Sequence, residues 1–372
     1  MTKYAWKSVP YRSGEQASVV ASTLAEAEVA AQLAKGPVVV IVGKANVAES
    51  HRFQMDALAN VLAAVPAAKV LPAFRRGNVN GALRLGFQPS EGGMYTTAML
   101  EAAAAGKLAC LILVGVDPFG DHPDHDLVQR ALGGVRSIIA VDAFVTASSA
   151  RADVVLPAAV FAEKAGTTTN LEGRVTTLQA KVNPAGTARP DWMIAAELAD
   201  RLGEDLGFAS VESITDAIAD RVPAFAGLTA AALAAAPDGL LVDRPGTGSL
   251  PAPGPAAKEP NGYAHRLVTS RKLYDKAVFT QLSPSMANLA PGASIHVHSL
   301  DLDRLGARGG TQLKVTGPRG SVILAAVADD GVPRGQVWVP FNQPGVNIAV
   351  IIDSGDEVCD VTLESLPETE SR

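Results

Sequence analysis

Residues 152–174 read ADVVLPAAVFAEKAGTTTNLEGR. The stretch begins as an apolar, β-branched strand and ends in a dense polar segment, GTTTNLEGR. In an open α/β sheet, ligand sites lie beyond the carboxyl ends of the strands. A strand that runs into Thr, Asn, Glu and Arg therefore predicts a cofactor pocket in an α/β fold. The preceding sequence agrees. Segments 38–43, 67–72, 108–116, 135–142 and 152–157 are short and continuously apolar, the pattern of parallel strands covered on both faces. Ala-rich helical segments at 48–64, 95–105 and 124–133 alternate with them, which is βαβ order. The expected fold class is α/β, a doubly wound, mostly parallel sheet. The helix in DWMIAAELADRLG closes it, with Asp191 as its cap and Gly203 as its stop. Two further helical segments occupy 210–236.

Residues 237–262, PDGLLVDRPGTGSLPAPGPAAKEPNG, are so rich in Pro and Gly that they predict a linker through which neither helix nor ladder continues. Beyond it the period changes. HRLVTSRKLY, ASIHVHS, TQLKVTGP, GSVILAAVA, GQVWVPF and VNIAVIID are short strands between Gly- and Pro-rich turns, the spacing of a small all-β barrel. The organisation read from sequence is an α/β domain over 1–236, a linker over 237–262 and a barrel over 263–372.

Composition excludes several classes. A formal charge of -6 gives no basic footprint for nucleic acid. The apolar runs VVVIVG and LACLILVGV are much shorter than the roughly 20 residues of a spanning helix. No signal-peptide pattern stands at the N-terminus, and the expected location is cytoplasmic. The two cysteines, Cys110 and Cys359, do not supply the four thiolates of a typical iron–sulfur cluster. No Cys-x-x-Cys pair suggests zinc.

The first strand is followed by GKANVAES, with the single glycine Gly43 where a nicotinamide-binding fingerprint has three. The third strand ends in VGVDPFGDHPDHD. There Gly115 lets the chain turn and Asp117 projects from the ligand edge, unless both merely shape the turn into the next helix. His122 and His125 with their aspartates are a weak metal pattern, since a helix N-terminus already favours Asp. The fourth strand supplies Asp142 and then Thr146, Ser148 and Ser149. Gly166 frees the backbone of the polar loop. Thr167, Asn170, Glu172 and Arg174, with Glu163, either bind a ligand or pin the loop by their own network. His296 and His298 alternate and would share one strand face. Nucleophile-elbow, zincin and Walker motifs are missing.

Taken together, VDAFVTASSARADVVLPAAVFAEKAGTTTNLEGRVTTLQ, TARPDWMIAAELADRLG, HVHSLDLDRLGARGGTQLKVTGPRGSV and VWVPFNQPGVNIAV resemble the molybdopterin oxidoreductase superfamily. Within it, the likeness is to the large G subunits of bacterial NADH–quinone oxidoreductase, respiratory complex I. The resemblance implies a barrel of the molybdopterin-dinucleotide-binding type, joined to the later part of the α/β region. It adds Asn347, in the last quoted segment, to the candidate set. Family members that hold the pterin often show Asn-Pro where this sequence has Asp117-Pro118.

The resemblance further implies a structural, non-catalytic module of the peripheral arm, with no cofactor in this chain and no metal site. Iron–sulfur clusters would lie in a missing N-terminal part or in a partner chain. The implied partners are other peripheral-arm subunits, with membrane contact only through the complex, at the inner face of the plasma membrane. The alternative is the cofactor-binding half of a molybdopterin-dependent oxidoreductase such as a formate dehydrogenase-like enzyme, holding molybdopterin guanine dinucleotide.

Composition alone generates one test. Limited proteolysis of the native chain is expected to cut first between about residues 237 and 262, because exposed Pro/Gly segments make few cross-contacts. First cuts concentrated within 135–175 would contradict the assigned boundary.

Overall fold

A computed structural model describes residues 4–242, 250, 253–260 and 264–367. In chain order the first strands are β1 (Val39–Val42), β2 (Lys69–Pro72), β3 (Cys110–Val114), β4 (Ser137–Asp142), β5 (Val154–Pro157), β6 (Gly166–Thr169) and β7 (Arg174–Leu178). Then follow β8 (Leu240–Leu241), β9 (Ala264–Arg271), β10 (Ile295–Val297), β11 (Gln312–Gly317), β12 (Gly320–Ala328), β13 (Gln336–Phe341) and β14 (Asp360–Ser365). The chain forms two compact units. One comprises the described residues of Met1–Pro72, Gly120–Val128 and Ser249–Arg372, and the other those of Ala73–Phe119 and Gln129–Gly248. The barrel thus shares its unit with β1 and β2, a grouping the sequence ranges do not draw.

The barrel unit holds a closed six-stranded barrel in the order β10-β12-β11-β14-β9-β13. Its pairings are antiparallel except β10 with β12 and β13 with β9. Closure leaves no free edge, and alternate residues point inward. Leu267, Ile295, Val297, Leu313, Val315, Val337 and Val339 are each fully buried in one core. In the same unit β1 and β2 pair in parallel across the helix Arg52–Ala64, which buries Phe53 and Leu58.

One buried cation ties this unit together. The Arg266 side chain, 2% exposed, donates from Nε to Asp360 Oδ1 at 2.6 Å, from one terminal nitrogen to the Lys258 carbonyl at 2.7 Å, and from the other to the Ser13 carbonyl. A planar guanidinium satisfies three acceptors on three chain segments at once. The approach is close. Gly14 takes a φ of +93°, and a Cβ there would lie 2.3 Å from the Ala257 Cβ.

In the second unit β3, β4 and β5 form a parallel sheet, register Ile112↔Ile139↔Val154. The opening stretch resolves differently from its reading as a strand with a ligand loop. Residues 166–178 fold back as the antiparallel hairpin β6–β7. β8 extends that hairpin by pairing with β7, so a ladder does enter the Pro/Gly-rich segment at Leu240–Leu241, whose flanking Val242 is buried. The rest of that segment lies in part outside the described residues. The helix predicted at DWMIAAELADRLG is Asp191–Arg201, stopped at Gly203 with φ +93°. Its cap position is Pro190, and Asp191 pairs with Lys164 rather than capping.

The apolar runs are strands, but their faces are not all covered. Val39, Ile41, Ile112, Val114 and Val154 remain exposed. Among the described residues, no single helix is long and apolar enough to cross a membrane, and one bent helix pair, Val211–Arg221 with Pro223–Ala234, passes by length and composition only.

Arg266→Ala is expected to lower the unfolding free energy by about 3 kcal/mol, because it leaves a buried carbonyl and a half-shielded carboxylate unpaired. Arg266→Lys should recover less than half of that loss, since one ammonium cannot reach the same fork of acceptors. Urea unfolding monitored by circular dichroism measures both. A loss below about 1 kcal/mol for the alanine variant would show that the three segments are held by something else.

Candidate functional site

At the carboxyl ends of β3 and β4 the second unit assembles four of the candidate residues. Gly115 turns the chain with a φ of +59°, and its N–H donates to the Val141 carbonyl at 2.8 Å. Asp117 Oδ1 accepts from the Ser148 N–H at 3.2 Å and from the Ser148 hydroxyl at 2.5 Å. The same hydroxyl accepts from the Phe119 N–H at 3.1 Å. Asp142 Oδ1 accepts from the Ala143 N–H at 2.8 Å. Thr146 and Ser149 hold each other reciprocally, Thr146 N–H to Ser149 Oγ at 2.7 Å and Ser149 N–H to Thr146 Oγ1 at 3.1 Å. Ser148 and Ser149 are fully buried. The sequence supplied both serines, but nothing in it distinguished loop closure from ligand contact.

Burial raises the Asp142 carboxyl above its ordinary range, the two loop N–H groups pull it back, and the Asp117 charge raises it further.

The remaining candidates do not join them. Gly166 and Thr167 lie on β6, opposite Leu178 and Thr177. Asn170, Glu172 and Arg174 form the hairpin turn. Asn170 N–H donates to the Arg174 carbonyl at 3.0 Å, and Arg174 N–H returns to Asn170 Oδ1 at 2.9 Å. The Arg174 guanidinium grips Glu172 through two nitrogens at 3.1 and 3.2 Å and reaches the Gly239 carbonyl at 3.3 Å. Asn170, Glu172 and Arg174 are thus hydrogen-bonded to one another within the hairpin. Glu163 stands apart from this network and closes its own turn on the Val160 N–H at 2.9 Å. Asn347 belongs to the other unit, where its side chain accepts from the Ala349 N–H at 3.1 Å and caps the short helix Ile348–Ile351.

The histidines are likewise engaged. His122 Nδ1 accepts from the Asp124 N–H at 3.1 Å, and burial lowers its pKa. His296 lies 2.9 Å from Asp329 and edge-on to Trp338, whereas His298 has left the strand and caps the helix Ser299–Arg304 by accepting from the Leu300 N–H. They do not share a strand face.

Sequence reasoning missed one feature, a cavity of about 60 Å³ lined by Asn78, Gly81, Thr167, Thr169, Thr215 and Phe225 among others. Asn78 adopts a left-handed φ of +62° and accepts from the Thr169 N–H at 2.9 Å. A Cβ at Gly81 would lie 2.3 Å from Asn78 Oδ1, so the NVNG run at 78–81 is required there. That volume holds a few water molecules and is far too small for a dinucleotide.

Comparison with known proteins supplies the lineage. Residues 22–201 match the molybdopterin oxidoreductase family, and residues 266–369 match the molybdopterin dinucleotide-binding domain. The chain is 31% identical to a G subunit of NADH-quinone oxidoreductase from Rhizobium meliloti, over 74% of this chain and 32% of that one. It is 32% identical to a formate dehydrogenase alpha subunit of Methanococcus maripaludis, over 67% of this chain and 40% of that one. Acetylene hydratase from Pelobacter acetylenicus has a similar fold, with a TM-score of 0.55 at 16% identity over 72% of this chain and 46% of that one. The chain spans well under half the length of the first curated relatives it matches. With both matches in chain order, the chain carries a molybdopterin oxidoreductase domain followed by a molybdopterin dinucleotide-binding domain.

Proposed function

We propose that the chain is a structural, non-catalytic module of an NADH-quinone oxidoreductase assembly, the counterpart of part of its large G subunits, held at the cytoplasmic side of the plasma membrane through that assembly. The assembly as a whole would carry electrons from NADH to quinone, and iron–sulfur centres would belong to other polypeptide. One observation carries the reading. The candidate cofactor groups are spent on one another and on their own backbone: Asp117 on Ser148, Asp142 on Ala143, Thr146 on Ser149, Asn170 and Glu172 on Arg174, and Asn347 on Ala349.

A molybdopterin dinucleotide brings a pyrophosphate, which needs donors and positive charge. The ends of β3 and β4 offer two carboxylates whose neighbouring donors are already taken. The residues present do not fit that group, and no chemical step runs through it. A module of this kind contributes surfaces and rigidity to a complex, and the hairpin at 166–178, closed by its own hydrogen bonds, serves that end.

Thermal melts with and without guanosine diphosphate test the reading. A ligand at a hundred times its dissociation constant raises the unfolding free energy by about 2.7 kcal/mol through mass action. No shift is expected for this chain at millimolar nucleotide. A reproducible rise of several degrees, abolished by Asp142→Ala, would move the assignment to the cofactor-binding half of a molybdenum enzyme.

A pH series tests the carboxylate pair. The Asp142 pKa is raised in the folded state, so between its unfolded value, near 3.8, and its folded value the native chain binds more protons than the unfolded one. Stability from this group is therefore present below the unfolded pKa and is lost as pH rises through the folded pKa. Asp142→Asn, which keeps the acceptor for the Ala143 N–H, is expected to be more stable than the native chain at pH 7 and indistinguishable at the acid end. Destabilisation by Asp142→Asn at pH 7 that fades towards the acid end would mean instead that the carboxylate charge is satisfied by a partner.

A further inference from the structure

The cavity bordered by the hairpin β6–β7 lies wholly within the second unit, and its lining is of two kinds. Thr167 and Thr169 stand two apart on β6, so both side chains share one face of the strand, and Thr215 of the helix Val211–Arg221 joins them with Asn78. The rest is apolar: Val175, Phe225, Leu228 and Leu233 belong to one buried core. Two of the polar groups are already engaged, since the Thr215 hydroxyl donates to the Val211 carbonyl at 2.8 Å and Asn78 Oδ1 accepts the Thr169 N–H at 2.9 Å. The Thr169 hydroxyl is not. Thr169 is 3% exposed, and its oxygen has no hydrogen-bond partner among the described residues.

Gly81 keeps that hydroxyl uncovered. It sits inside the helix Val79–Arg84, where glycine is less stable than alanine, and its φ is not left-handed. Space is therefore the reason for it: a Cβ there would lie 2.9 Å from Thr169 Oγ1 as well as against Asn78 Oδ1. A buried hydroxyl without a partner forfeits a hydrogen bond that a guest restores. Water restores it too, but an ordered water molecule needs two to four polar partners, and the aliphatic and aromatic part of the lining offers none.

We propose that this cavity is a binding site for a short neutral alcohol. No ionisable side chain is among the described residues that line it, so a charged guest would give up its hydration without a counter-charge. A hydroxyl suits the polar end because it donates or accepts as the Thr169 hydroxyl requires, while the carbon tail packs beside Leu228 and Leu233. Size sets the length. A cavity of about 150 Å³ takes benzene with its six heavy atoms, so one of about 60 Å³ takes a guest of about two or three, and ethanol is the fitting probe. The guest would touch the hairpin, the helix Val211–Arg221 and the turn Pro223–Phe225 together. The proposal goes beyond the module reading and does not rest on it.

Methyl-resolved NMR of the full chain titrated with ethanol tests the site. Three heavy atoms bind no tighter than about 0.5 mM even at the ceiling of ligand efficiency. The expected result is a saturable shift of the Leu228, Leu233 and Thr167 methyls at millimolar ethanol, with the exposed Ile323 methyls unmoved. Ethylammonium, of the same length but charged, should give no saturable shift. Thr169→Val removes the unpartnered hydroxyl and keeps the shape, so the variant is expected to melt no lower than the native chain and to bind ethanol at least tenfold more weakly, read at Leu228 and Leu233. Shifts that grow linearly with ethanol over the whole surface would overturn the site and leave the cavity to water. Equal affinity of the native chain and Thr169→Val would overturn the alcohol assignment, and so would saturable binding of ethylammonium. The two probes on the native chain decide the matter even where the variant does not fold.

Discussion

A parallel β-sheet has two faces to bury and no hairpins with which to do it, so its strands depend on elements brought in from elsewhere. That constraint separates the parts of this chain. The barrel answers it by closing on itself: its six strands leave no edge, and its core residues lose nearly all contact with solvent. The sheet β3–β4–β5 buries Leu113, Ile138 and Ala140 on one face, where Val155 stays exposed, and has a corner of cover at Val141 and Ile194 on the other. The barrel is self-sufficient where the parallel sheet is not. The difference is built into the sequence, in which the barrel strands alternate in character and the parallel strands are apolar throughout.

The same sheet determines what its carboxyl ends can do. Strand ends of this kind gather polar side chains because the backbone groups there run out of ladder partners. Here the gathered groups satisfy each other. Ser148, buried, donates to Asp117 and receives from Phe119, and Thr146 and Ser149 close a reciprocal turn. Each of these bonds is modest in net free energy, but breaking one to admit a ligand would strand a partner of low solvent access. An anion would also have to approach Asp117 and Asp142 together.

Much of this was legible from residues alone. The β-branched runs gave the parallel strands, and the change from a helical to a strand period gave the barrel, because both signals depend on local spacing. The grouping of β1 and β2 with the barrel was not legible, since it depends on contacts such as Arg266 with Ser13 that join distant segments. GTTTNLEGR, expected as a loop after a strand, folds as a hairpin, and Glu163 stands outside the hydrogen bonds that join Asn170, Glu172 and Arg174. A polar run after a strand looks the same whether it continues as an open loop or folds as a tight hairpin, and the Asn170–Arg174 pairing marks the hairpin. Leu240–Leu241 pairs with β7 inside a Pro/Gly-rich stretch because two residues suffice to extend a hairpin edge. His298 left its strand because its imidazole accepts the Leu300 N–H at a helix start, a role that strand alternation does not foresee. The cavity at Asn78 was hidden because a left-handed asparagine leaves no mark on composition.

Native mass spectrometry of the chain released gently from its own cells tests the central claim most directly. The account predicts that the chain appears within a multi-subunit assembly and that, on dissociation, it leaves with its bare polypeptide mass of 38.3 kDa. A free chain carrying the added mass of a pterin dinucleotide would contradict it.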